Sequence, residues 1–119
     1  YRPKEHKVRM QDVYDAACAY VPEEQRPYFN RGVPIILGVR FYFPYRNTDY
    51  GTGRNAGVLK PNAPTFAIGQ KDLDNMLKPL KDGMKGVVYN DYKQIVGYSE
   101  CCKLYSESPR TVVTIKEVN

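Results

Sequence analysis

The stretch Pro34-Ile35-Ile36-Leu37-Gly38-Val39-Arg40-Phe41-Tyr42-Phe43-Pro44 decides the fold. Val39, Phe41 and Phe43 alternate with Arg40 and Tyr42, and successive residues of a strand point to opposite faces. The spacing predicts a strand, bounded by prolines that cannot donate to its ladder. Upstream, Val13, Ala16, Ala17, Tyr20 and Val21 recur at helical spacing within residues 8–21, and Pro22 closes that helix. Residues 22–33 are charged and turn-like. Downstream, residues 45–64 hold three glycines and two prolines and predict a long basic loop, with Arg46, Arg54 and Lys60 against Asp49. Such a loop is either a surface insertion or a mobile arm for a polyanion. Residues 65–68 read as a short strand. Leu77, Leu80 and Met84 predict a helix over 74–85, stopped by Gly86. Residues 87–89 are short and extended, 90–91 turn, and a strand begins at Gln94 and runs to Leu104. Residues 106–109 turn the chain into a last strand over 111–115. This order predicts an α+β fold: a small mixed or antiparallel sheet with about two helices on one face.

At 119 residues the chain, residues 1–119, makes one domain, able to bury roughly two-thirds of its unfolded surface without disulfides. Hydrophobic residues at 42% and charged residues at 26% exclude a disordered chain, a collagen and a coiled coil. The longest apolar runs, 34–37 and 86–89, fall far short of the roughly 20 residues of a bilayer span. Neither a signal peptide nor a membrane partner is expected. Cys18, Cys101 and Cys102 form no Cys-x-x-Cys or Cys/His cluster, which argues against structural zinc. Their odd count predicts free thiols in a reducing compartment. His6 is the single histidine and lies in a charged run, so histidine-based catalysis is not expected. The net charge is +5, and ten of the 18 Lys and Arg fall in residues 1–69, against six of the 13 Asp and Glu. That basic half, in a chain with eleven Tyr and no Trp, suits a polyanion partner.

The chemistry concentrates in Lys71-Asp72-Leu73-Asp74-Asn75-Met76-Leu77-Lys78, followed by Asp82 and Asp91. If residues 72–74 are extended, Asp72 and Asp74 project to one side. Two neighbouring carboxylates repel unless a proton or a cation joins them. A site made of carboxylate oxygens suits a hard ion, Mg²⁺ or Mn²⁺. Asp91 could fold back to complete it, and Lys78 lies one helical turn beyond Asp74, placed to hold a phosphate oxygen. The same residues also read as a plain helix cap with ordinary i,i+4 ion pairs.

Within residues 70–98, the run QKDLDNMLKPLKDGMKGVVYNDYKQIV resembles the RusA family of Holliday junction resolvases. The family pattern is Lys-Pro-Asp-x-Asp-Asn, then Lys, Asp and Gly, then Asp-Asp-x-Gln-Ile/Val. Asp72 and Asp74 fall on the paired aspartates, with Asn75 in register. Lys78, Asp82, Gly86, Asp91 and Gln94-Ile95 follow on the remaining positions. Tyr1 to Lys4 and the last strand fit more loosely. The resemblance implies a homodimeric, metal-dependent endonuclease that nicks four-way junction DNA in pairs during recombination and repair. It implies Asp72, Asp74, Asp91 and Lys78 as catalytic residues, the three aspartates as ligands of Mg²⁺ or Mn²⁺, and a cytoplasmic protein of bacterial or phage origin. Arg2, Lys4, Arg46, Arg54, Lys60, Lys71 and Lys78 are the candidates for DNA phosphates.

The sequence departs from the family in four places. Lys71 stands where the family has Pro, and Tyr92 where it has the second Asp of the later pair. Pro79 deletes an amide and crowds the Asn75 carbonyl, so the helix should either start late or kink there. The family's first strand, with its Arg-Pro-Arg element, is expected to precede residue 1. These departures keep open a non-catalytic, or differently targeted, nucleic-acid-binding module of the same fold.

Overall fold

The computed structural model describes residues 10–118. Helix α1 spans Met10–Tyr20, strand β1 Ile35–Pro44, helix α2 Leu73–Met84, strand β2 Ile95–Ser106 and strand β3 Arg110–Glu117. The strands form one mixed sheet in the order β2-β1-β3, β1 pairing parallel to β2 and antiparallel to β3. The α+β expectation holds. The parallel pair needs a crossover, and α2 lies within it. Residues 107–109 then carry the chain past the end of β1, and Arg110 braces this turn by donating to Ser106 Oγ and the Ser108 carbonyl.

The alternation in β1 does what the sequence asked of it. Ile35, Leu37, Val39, Phe41 and Phe43 are buried, while Arg40 on the opposite face is exposed. The inward row meets Met76, Leu80 and Met84 of α2, along with Val87, Val88 and Tyr89 from the turn beyond it. Burial on this scale dominates folding; truncating a residue such as Phe41 to Ala typically costs about 3–5 kcal/mol. Helix α1 packs on α2 through Val13, Ala17 and Cys18. Tyr20, expected on that apolar stripe, points outward and is 89% exposed. Ala16, expected on the same stripe, is exposed as well, because the packed stripe runs through Val13, Ala17, Cys18 and Val21, rotated toward Cys18.

Three local expectations change. Residues 65–68 form only an isolated bridge, Phe66 opposite Leu104, on the outer edge of β2. Of residues 87–89, Val87 and Val88 lie in a turn, and Tyr89 forms isolated bridges with Phe29 and Lys85 rather than a continuous strand. Residues 45–64 are folded rather than loose: Tyr50 bridges Leu59, and two short 3₁₀ turns occupy Asn47–Asp49 and Gly53–Asn55. Among the described residues, no helix is long and apolar enough to cross a membrane. All three cysteines are free thiols.

Candidate active site

Asp72 is the extended residue preceding α2, and Asp74 already lies in its first turn. The segment 72–74 is thus not a strand, and its two carboxylates are placed by a helix start rather than by a pleat. Both are exposed, and Asp72 accepts a 2.7 Å hydrogen bond from Asn75 Nδ2. Their negative charge sits at the positive end of the helix dipole, where it is favoured. Because α2 begins at Leu73, Pro79 falls inside it rather than in its first turn. Its ring leaves the Asn75 carbonyl without the helical donor.

The helix runs antiparallel to β2. At its start the Gln70 carbonyl accepts from Lys103 Nζ at 3.3 Å, and further along Lys81 Nζ donates to Tyr98 Oη at 3.3 Å. Asp74 lies near enough to Cys101 to help raise its thiol pKa, after burial and the neighbouring Cys102. A thiol pushed upward is a poor nucleophile at neutral pH. Lys78 is exposed, one turn after Asp74. Lys81 and Lys85 both hold their ammonium groups over the ring of Tyr92, Lys85 at 5.1 Å from its centroid.

Asp91 sits beyond the other end of α2. It caps a short 3₁₀ turn, Tyr92–Gln94, and its Oδ1 accepts from the Lys93 amide at 3.2 Å. Tyr89 Oη donates to the Lys81 carbonyl, and the Tyr92 ring lies under Lys81 and Lys85, so the chain around Asp91 returns to the second half of α2, whereas Asp72 and Asp74 lie at its start. Among the described residues, no group of three or more His, Cys, Asp or Glu side chains could hold a metal ion. The oxygen donors at Asp72 and Asp74 suit a hard cation, but a single copy of the chain does not assemble the three-carboxylate ligand set.

Gln94 organises the Asp91 end. It is 6% exposed; its Oε1 accepts from the Asn90 and Asp91 amides, and its Nε2 donates to the carbonyls of Asn30 and Val33 at 2.9 and 3.1 Å. The signal for it was present as Asp91-x-x-Gln94, the spacing of a capping box. The reach to residues 30–33 was not, because it spans more than sixty positions.

The DNA candidates have different standings. Lys71 and Arg54 are exposed. Arg46 is engaged: its guanidinium donates to both oxygens of buried Asp49 and lies over the Tyr105 ring. That pairing holds the Asp49 carboxyl below its usual range, assisted by Lys60. Arg2 and Lys4 lie outside the described residues.

The chain matches the family model for endodeoxyribonuclease RusA over residues 2–116. It is also similar to an uncharacterized protein, YqaN, of Bacillus subtilis (strain 168), at 28% identity over 123 residues, covering 95% of this chain and 82% of the relative. No solved structure matches it. With the family model spanning nearly all of its length, the chain belongs to the RusA endodeoxyribonuclease family.

Proposed function

We propose that this chain is a structure-specific endonuclease that resolves Holliday junctions by paired nicks, acting as a homodimer in DNA recombination and repair. The observation that carries this reading is the family match over residues 2–116, joined to exposed Asp72, Asp74 and Lys78 on one helix start. A four-way junction has approximate two-fold symmetry, and a two-fold dimer presents two identical sites to it. Lys78 would contact a phosphate near the cut, and exposed Lys71 and Arg54 would hold the backbone. Mg²⁺ or Mn²⁺ is the cofactor that the donor chemistry suits. Its ligand set would be completed by bringing Asp91 of a second copy to the Asp72 end of the first, since within one copy the segment around Asp91 packs on the second half of α2 rather than at its start.

A second reading has one observation in its favour. Tyr92 replaces a carboxylate of the family pattern, and its ring is occupied by Lys81 and Lys85. A junction-binding protein without nuclease activity fits that substitution. Incubating the chain with a synthetic mobile four-way junction, with Mg²⁺ and then with EDTA, separates the two. Paired, symmetric nicks that EDTA abolishes support the resolvase. Tight binding with no nicks in either Mg²⁺ or Mn²⁺ supports the binding module.

A further inference from the structure

We propose that the cleft beside Asp91 is a phosphodiester subsite in which Arg31 and Lys93 grip the backbone of a bound DNA strand; this rests on the nucleic-acid reading above. The cleft measures about 390 Å³ and is lined by Arg31, Gly32, Asn90, Asp91, Lys93 and Val96, among others. That volume lies within the range of small-ligand sites and accommodates a phosphate with its sugar. Two loops distant in sequence form its walls. Residues 30–33 turn through Gly32, whose φ of 85° is open to glycine at no steric cost. Residues 90–93 supply the other wall. Gln94 pins the two together with hydrogen bonds in both directions, so the cleft is built before any ligand arrives.

The charge of the cleft selects its ligand. Arg31 and Lys93 are both exposed on the rim. Among the described residues, the ion pairs are Arg40 with Glu100 and Arg46 with Asp49, so neither rim cation is paired with a carboxylate of those residues. Asp91 contributes one negative charge against their two positive ones. Guanidinium offers a planar fork that matches phosphate oxygens, and ammonium acts as a point charge beside it. An anion held between them would lie next to the Asp91 carboxylate rather than on it. Arg31 and Lys93 thereby join the reaction as positioning residues, which set where the strand runs past Asp91.

The test is junction binding by fluorescence anisotropy in EDTA, across a salt series, for the wild type, R31A, K93A and R110A. Each phosphate contact contributes about 0.9 to the slope of log affinity against log salt. R31A and K93A should each lower the slope by about 0.9, while R110A, at the far end of the sheet, should leave it unchanged. A second arm titrates an eight-residue thymidine oligonucleotide into the ¹⁵N-labelled wild type. Shifts at the Gly32, Asp91 and Lys93 amides that vanish in the R31A/K93A double variant support the subsite. Unchanged slopes, shifts confined to other surfaces, or no oligonucleotide binding each overturn it. A chain that cuts junctions with unchanged slopes keeps the resolvase and loses the subsite. A chain that binds the oligonucleotide in the cleft but never nicks DNA does the reverse.

Discussion

Gln94 Oε1 accepts from the Asp91 amide at 3.0 Å, while the same side chain's Nε2 donates to the Asn30 carbonyl at 2.9 Å. One buried amide therefore sets the position of a candidate catalytic carboxylate relative to a loop more than sixty residues away. Leucine at this position would strand two amides and several carbonyls, each buried unmet group costing about 1–3 kcal/mol. Q94L should lower stability by several kcal/mol on denaturant titration. Q94E tests the polarity of the site: a neutral carboxyl can both accept and donate, but a carboxylate would face carbonyl oxygens. Burial and those carbonyls raise its folded pKa, so its stabilising contribution is present below the unfolded value of about 4.3 and lost as pH rises through the folded value. A flat stability–pH profile relative to wild type would show that Gln94 bears no such load.

The contact between α1 and α2 turns on Gly83. A Cβ built there would come within 2.7 Å of both the Met10 carbonyl oxygen and the Val13 Cβ. Elsewhere in a helix, Gly→Ala gains about 1 kcal/mol. Here the backbone of α1 stands in the way, and G83A should destabilise by about 1–3 kcal/mol, the usual range for overpacking. A melting temperature raised by G83A would mean that the helices do not cross this closely.

Asp49 and Arg46 hold the 45–64 segment in shape, and their pairing is pH-dependent in a defined direction. The Asp49 carboxyl titrates below its unfolded value through its hydrogen bonds with Arg46. Its contribution is whole above about pH 4 and is lost as pH falls through the folded value. Carboxyl-carbon NMR should place Asp49 below the reference of about 3.9, and R46A should return it upward. D49N should open the segment at neutral pH, seen as faster tryptic cleavage after Arg54. Equal cleavage rates in the two proteins would remove Asp49 from this role.

What the sequence made legible follows from the range of the interactions. The alternation of Val39, Phe41 and Phe43 specifies a strand locally, and the full inward row of β1 is buried as that pattern requires. Gly86 ends α2 because its φ of 86° is a local demand. Ala16 and Tyr20 fall outside the packed stripe because helical spacing alone does not fix which side of Ala17 faces α2. Residues 45–64 read as loose because their order comes from an ion pair on the buried Asp49 carboxylate and a bridge, Tyr50 to Leu59, that composition cannot reveal. The candidate site divides in the same way. That Asp74 and Lys78 lie one helical turn apart was readable from spacing. The distance to Asp91 was not, because it is set by the direction of α2 against β2.

That separation yields the sharpest prediction. Asp→Asn at Asp72, Asp74 or Asp91 should each abolish cleavage, a loss of at least about a hundredfold if each carboxylate serves the cut, while junction binding persists. Differently tagged D72N and D91N chains, co-expressed and purified as a mixed dimer, then distinguish two architectures. If each site takes Asp72 and Asp74 from one copy and Asp91 from the other, one site of the mixed dimer carries both substitutions and the second carries neither. The mixed dimer should nick one strand without resolving the junction in a pair. If each site is built within one copy, both sites are damaged and no strand is cut. A mixed dimer that is silent, alongside an active tagged wild-type pair, would place all three carboxylates in one subunit, and α2 would then have to move for Asp91 to reach them.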